Sequence, residues 1–184
     1  MPKPRIGQGD QGETSLFGSG KKVLKHSARF HTLGSLDELN ALIGFARTTN
    51  DNSEIESVLQ TIQNHLFVAL SRLGIEEGYE DDERIPVFKK EYLEYAEQCI
   101  VTYEKDLPPL NAFIVPTGTQ TAAVLHMCRA LTRQAERHCV ELSQKQPVDT
   151  TVLSYINRLS DVFFTLARYS NHENGVNDTP WRHE

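Results

Sequence analysis

TQTAAVLHMCRALTRQAERHCVEL, residues 119–142, reads as a long helix. Val124, Cys128, Leu131, Ala135, Cys139 and Leu142 recur every three or four positions, which lays them along one line of a 3.6-residue spiral. A helix with one apolar line must bury that line against other elements. Beside it runs a polar stripe at the same spacing, His126, Arg129, Arg133 and Glu136, with Arg137 four residues after Arg133. Two readings of that stripe stand. It is a solvated face in which Glu136 pairs an arginine, or its guanidinium forks take a polyphosphate or a partner's carboxylate.

Helical spacing continues on both sides. Downstream, a helix starting near Thr150 sets Val152, Ile156, Leu159, Phe163, Leu166 and Ser170 on one line, and Asn157, Asp161, Phe164 and Arg168 on another. With so apolar a remainder, Asn157 and Asp161 are expected to be partly buried and in need of partners. Upstream, Ser35 is the expected N-cap of a helix carrying Leu36, Leu39, Leu42, Ile43 and Ala46. Asp37 and Glu38 then fall in its first turn, where the helix dipole explains them. Ser53 with Glu56 reads as a capping box, followed by Val58, Ile62, Leu66, Ala69 and Leu73, with Gly74 at the end. A third helix spans about 89–103, with Tyr92, Ala96 and Ile100 as its stripe, and Pro108 and Pro109 close that region. The acidic run 76–83, EEGYEDDE, is expected to be a solvated loop. Five helices with almost no alternating strand pattern give an all-α bundle.

The totals agree with a globular domain. The 184 residues are 39% hydrophobic and 24% charged, and the net charge of -6 argues against a general nucleic-acid binder. No apolar run approaches the roughly 18 residues that span a bilayer, so no membrane partner is expected. Cys99, Cys128 and Cys139 have neither disulfide-framework nor zinc spacing and read as reduced core thiols. The first twelve residues carry no apolar signal segment. The expected location is cytoplasmic, or the mitochondrial matrix if a transit peptide has been removed. A single domain is expected over 1–184, with an arm at 1–33, the bundle at 34–170 and a loose tail at 171–184 onto which Trp181 could dock.

The arm holds glycines at 7, 9, 12, 18 and 20. Gly7, Gly9 and Gly12 match a dinucleotide fingerprint formally, but no strand precedes them and no helix follows directly. Residues 18–22, GSGKK, fall short of a P-loop. Backbone N–H groups beside Lys21, Lys22 and Lys25 still suit a phosphate; the other reading is a flexible tail.

Several segments together resemble the PduO-type cobalamin adenosyltransferases: GDQGETSLFG (9–18), Lys25, GSLDELNALIGFAR (34–47), FIVPTGT (113–119), RALTRQAER (129–137) and YINRLSDVFFTLAR (155–168). The resemblance implies an all-α five-helix bundle of the ferritin-like up-and-down type with a Gly-rich N-terminal arm, assembled as a homotrimer with sites between subunits. It implies transfer of the 5′-adenosyl group of ATP to the cobalt of cob(I)alamin, with Mg2+. In that reading Gly9, Asp10, Gly12, Thr14 and Ser15 line the ATP site and Lys25 lies near the triphosphate. Arg133, Glu136, Asn157 and Asp161 hold the nucleotide. Arg129 pairs across the interface with Asp37, and Phe113 closes the lower face of the corrin. Cob(I)alamin is itself the nucleophile, so the protein's task is to align C5′ with cobalt and stabilise charge on the leaving triphosphate. Four places depart from the family pattern. Ile6, Gly7 and Gln8 replace a hydroxyl pair and a positive charge, and Arg5 is a candidate substitute for that charge. Gln134 replaces an arginine, Thr117 a glycine and His31 a glutamate. A weakened member that binds ATP or cobalamin as a carrier or regulator is the alternative these departures motivate.

Overall fold

The structure, a computed structural model, describes residue 7 and residues 9–182. Arg5, Ile6 and Gln8, which carry part of the altered arm, lie outside the described residues. Five helices dominate: α1 (Ala28–Thr48), α2 (Ser53–Leu73), α3 (Lys90–Glu104), α4 (Gln120–Ser143) and α5 (Thr150–Glu173). The all-α expectation holds. Two small antiparallel pairs accompany them, β1 (Glu13–Ser15) with β2 (Lys22–Leu24), and β3 (Ile114–Val115) with β4 (Thr179–Pro180).

The helices alternate in direction. Arg29 at the start of α1 donates from Nε to Gln146 beyond the end of α4 (2.9 Å), and Thr121 at the start of α4 donates to Thr49 O at the end of α1 (2.6 Å). Thr119 likewise meets Ser170 at the far end of α5 (3.1 Å). α3 runs alongside α5, with Phe88 against Tyr155 at one end and Tyr103 against Tyr169 at the other. α4 therefore lies between α1 and α5, while α2 packs on α1 and α3 on α5. Leu36, Leu39, Ile43, Leu59, Leu66, Leu125, Ile156 and Phe163 are fully buried between them. Leu36, Leu39, Ile43, Leu66, Ile156 and Phe163 fall on the apolar lines read from the sequence, while Leu59 and Leu125 widen them by one neighbour each, and burying these stripes is the main term holding the bundle together.

Four local expectations are corrected. α1 begins at Ala28, seven residues before the expected cap at Ser35, so the arm ends by residue 27. The core line continues backwards through Thr32 and Ser35, both buried, and each hydroxyl donates to the carbonyl four residues earlier, Ala28 O and His31 O, at 2.9 Å. A hydroxyl satisfied in that way occupies a core position that a pattern of apolar residues misses. Asp37 and Glu38 consequently lie in the third turn, beyond the reach of the helix dipole. α2 is capped by Asn52, whose Oδ1 accepts from Glu54 N and Ile55 N at 2.9 and 3.1 Å, one residue before the expected Ser53.

The acidic loop is solvated as expected, with residues 77–81 exposed, but it is anchored at its first residue, and the C-terminal tail is not loose. Phe17 N donates to Gly74 O (3.0 Å), Glu76 N donates to Phe17 O (2.8 Å), and Glu76 also accepts from Ser19 Oγ (2.7 Å), so the arm is stitched to the segment after α2. The tail lays β4 beside β3, and Trp181 N donates to Phe113 O at 2.7 Å. Arg168, 5% exposed, donates to Asp178 Oδ2 at 2.7 Å and to Pro108 O at 2.6 Å, tying the tail and the loop before β3 to the same guanidinium.

Candidate active site

α4 organises the site because its polar stripe crosses two different environments. At its N-terminal half, Arg129 and His126 line a cavity of about 910 Å³ whose other walls include Phe113, Pro116, Phe164 and Trp181. Phe113 stands at its edge, 83% exposed. Leu110 and Trp181, 40% and 53% exposed, line the same cavity, so Phe113 belongs to a contiguous apolar patch, and a patch of this kind marks a binding site. Its backbone is held nonetheless, by Trp181 N on its carbonyl and by the β3–β4 pair that follows it. Beyond β3, Asn171 accepts from Thr119 N (2.9 Å) and donates to Thr117 O (3.1 Å), fixing the turn that leads into α4. An exposed side chain on a secured backbone is preorganised to meet a ligand.

Arg133 and Glu136 lie further along α4. A rise of 1.5 Å per residue sets Arg133 about 6 Å along the axis from Arg129. Arg133 is exposed, and Glu136 Oε1 accepts from Asn157 Nδ2 of α5 at 2.6 Å. Asp161, one turn after Asn157, pairs with Arg158 at 3.2 Å, and Arg158 also approaches Glu97 of α3 at 3.5 Å. Contrary to the sequence-based expectation, Asn157 and Asp161 are both exposed. They project outward because the apolar residues of α5 fill its inner faces. His126 departs in the other direction. It belongs to the same stripe as Arg133, yet it is 4% exposed, and burial together with the charge of Arg129 lowers its pKa.

The arm forms a separate cluster. Thr14 and Ser15 lie in β1, opposite Val23 and Lys22 of β2. Lys25 closes the hairpin, with its N–H on Gly12 O at 2.9 Å and Nζ on Gly9 O at 2.7 Å. Gly12 takes a φ of +78°, a left-handed geometry that glycine adopts without strain. Asp10 is exposed. The arm residues are thus brought together, as are Glu136 with Asn157 and Phe113 with Arg129. Among the described residues no hydrogen bond or ion pair joins Asp37 to Arg129, or the arm to Arg133, within one chain.

Cys128 and Cys139 are buried, which pushes their thiols up to about 12 and about 11. Neutral thiols at physiological pH are poor nucleophiles. No group of three or more His, Cys, Asp or Glu side chains among the described residues could hold a metal ion. Sequence reading missed Arg168, Asn171 and Asp178 as supports of the Phe113 loop. The tail looked polar and unpatterned, and only the Trp181 side chain hinted that it docks.

Comparison with known proteins bears on this geometry. Residues 5–170 match the sequence pattern of a family described as cobalamin adenosyltransferase. A corrinoid adenosyltransferase of Bacillus subtilis is 36% identical over 177 residues, spanning 94% of this chain and 89% of that protein. The corrinoid adenosyltransferase MMAB of Homo sapiens is 38% identical over 179 residues, spanning 95% and 71% respectively. Among solved structures, a variant PduO-type ATP:corrinoid adenosyltransferase from Lactobacillus reuteri complexed with cobalamin and ATP superposes with a TM-score of 0.88. It is 33% identical, and the match covers 96% of this chain and 97% of that one.

Proposed function

The chain belongs to the cobalamin adenosyltransferase family, and on that premise we propose that it transfers the 5′-adenosyl group of ATP to the cobalt of cob(I)alamin. The observation that carries this reading is the layout of α4. Its N-terminal half walls a large, mostly apolar cavity, while a turn further on Arg133 and the Glu136–Asn157 pair form a polar face. A flat macrocycle and a polyphosphate need those two environments side by side.

In the reaction the cobalt–carbon bond forms as the C5′–oxygen bond breaks, and the electron pair leaves on the triphosphate. No side-chain nucleophile is required. Phe113 and the aromatic walls keep water and polar ligands from the cobalt, which favours the reduced, nucleophilic state. Glu136 and Asn157 orient the nucleoside, and Arg133 offers its fork to the growing charge on the leaving phosphate. Asp10, Thr14, Ser15 and Asp161 complete the nucleotide site in this reading, with Lys25 and the amides of Gly9 and Gly12 cradling phosphate. Mg2+ keeps several waters and binds chiefly through substrate phosphates, so it enters with the nucleotide, where it neutralises phosphate charge; no residue of this chain is assigned to it.

Asp37 and Arg129, unpaired with each other within the chain, are proposed to pair between neighbouring subunits of a homotrimer, with the nucleotide bound at the interface. Light scattering should then return about three times the 20.8 kDa chain mass; a monomer would remove that part of the reading. The free, buried thiols suit a reducing compartment, the cytoplasm or the mitochondrial matrix.

The decisive experiment is anaerobic turnover with chemically reduced cobalamin, ATP and Mg2+, followed by the absorbance change as adenosylcobalamin forms. Arg133→Ala should lower kcat/KM by about 10²-fold. ATP binding without product would favour the carrier or regulatory alternative.

A further inference from the structure

The acidic run at 76–83 has no part in the chemistry above, yet its first residue grips the arm. A two-stranded hairpin has little stability of its own, and β1 and β2 pair over only three residues each. The open end of the hairpin leads into α1, where Ser27 N donates to Leu24 O at 3.2 Å. Its turn, residues 16–21, is held from outside. Phe17 N donates to Gly74 O at 3.0 Å and Phe17 O accepts from Glu76 N at 2.8 Å. Glu76 Oε2 accepts from Ser19 N at 2.9 Å and from Ser19 Oγ at 2.7 Å, and these bonds hold its carboxyl below the usual carboxylate range. The crossing is close. Gly18 has a φ of +149°, and a β-carbon there would lie 2.8 Å from Glu76 Cβ, a collision that only glycine avoids. The receiving segment is itself fixed, since Arg29 of α1 donates to Leu73 O and Ile75 O at 2.8 and 2.6 Å.

We infer that Glu76 is a positioning residue for the nucleotide, clasping the turn of the β1–β2 hairpin to the end of α2 so that Thr14, Ser15 and Lys25 stand where the phosphates bind. Glu76 touches no reacting atom in this reading and acts through the arm. Phe17 is two residues after Ser15, so a turn free to swing would carry β1 with it. Lys25 reaches Gly12 O and Gly9 O only while the hairpin is closed. A segment that must be ordered as its ligand binds gives up affinity, and one already in place does not. Loss of the clasp therefore weakens ATP binding and spares the transfer step. This role rests on the proposed function, which makes the arm a nucleotide site, and adds the residue that keeps the arm in position.

The test uses the full chain with Mg2+: initial rates at fixed reduced cobalamin with ATP varied, beside calorimetric titration of ATP. Glu76→Ala should raise the KM and the Kd for ATP about fivefold, the net worth of a hydrogen bond or two, and leave kcat within about twofold. Glu76→Gln keeps an acceptor oxygen for Ser19 and should recover part of the loss. Ser19→Ala should raise KM by less, and the double variant by no more than Glu76→Ala alone, because both remove one contact. Unchanged KM and Kd in Glu76→Ala would overturn the clasp and leave the proposed function standing. A fall in kcat and in the thermal midpoint at unchanged KM would also overturn it, marking Glu76 as structural only. If the wild type binds ATP but forms no product, the transfer reaction fails and the Kd comparison still decides the clasp. No ATP binding by the wild type would overturn both.

Discussion

At Gly118 the backbone takes a φ of +127°, and a β-carbon there would lie 2.0 Å from Asn171 Oδ1. Both facts matter, because the same Asn171 holds Thr117 O and Thr119 N and thereby fixes the turn between the Phe113 loop and α4. Gly118→Ala should therefore destabilise the protein by about 2–4 kcal/mol, from backbone strain together with displacement of a buried amide. Urea unfolding at fixed protein concentration would record a lower midpoint at unchanged slope. An unchanged midpoint would mean that Asn171 swings away freely and does not hold the turn. Thr119 caps α4, its hydroxyl accepting from Ala122 N at 3.0 Å. The buried partner of Gly118 was not legible, since Asn171 lies fifty residues on in what read as a loose tail.

Helix α3 is held to the bundle by aromatic contacts. His65 of α2 stacks on Tyr92 at 3.9 Å between centroids and meets the Tyr155 hydroxyl of α5 at 3.1 Å, while Phe88 packs edge-on against Tyr92 and Tyr155. Burial lowers the pKa of His65 from 6.5 to about 4. Above pH 6.5 the imidazole is neutral in folded and unfolded chains alike and contributes no pH dependence. As pH falls below that value, the unfolded chain takes up a proton that the folded one refuses until about pH 4. The unfolded state then gains ground, and up to about 3 kcal/mol of stability is lost across that window. Urea unfolding across the same range should show this slope, and His65→Phe should flatten it. A variant with the same slope would assign the effect to other groups. The sequence shows Tyr92 on the stripe of α3, but it does not show that a histidine completes the cluster, because period alone makes His65 look like any polar residue beside Leu66.

Across the whole molecule, the two ends of the bundle are closed by chain termini. The N-terminal arm is sewn to the loop after α2 at one end, and the C-terminal tail covers the Phe113 loop at the other. Arg168 anchors the second closure, and its guanidinium is 5% exposed opposite a carboxylate at 15%. Asp178→Ala would leave that charge buried without its counter-ion, so a loss of about 3 kcal/mol is expected, more than a surface ion pair would give. Thermal unfolding at equal protein concentration measures it. A shift no larger than that of Lys90→Ala, which removes an exposed pair with Glu94, would show that Arg168 finds another partner.

The apolar periods at 36–46, 58–73, 92–100, 124–142 and 152–166 were sufficient for five helices and an all-α bundle, because burying a stripe of that period is possible only by packing helices together. They also gave the residues of the α4 polar stripe. What they did not contain is the side-by-side geometry. His126 and Arg133 have the same sequence signature, but one is sealed under the Phe113 loop and the other faces solvent. That difference arises from segments far away in the chain, the loop at 110–116 and the tail at 176–181. Hydrophobic period reports which face of an element turns inward. Which distant segment covers that face, and whether a polar group there meets a partner, was set only when the helices packed and the two closures formed.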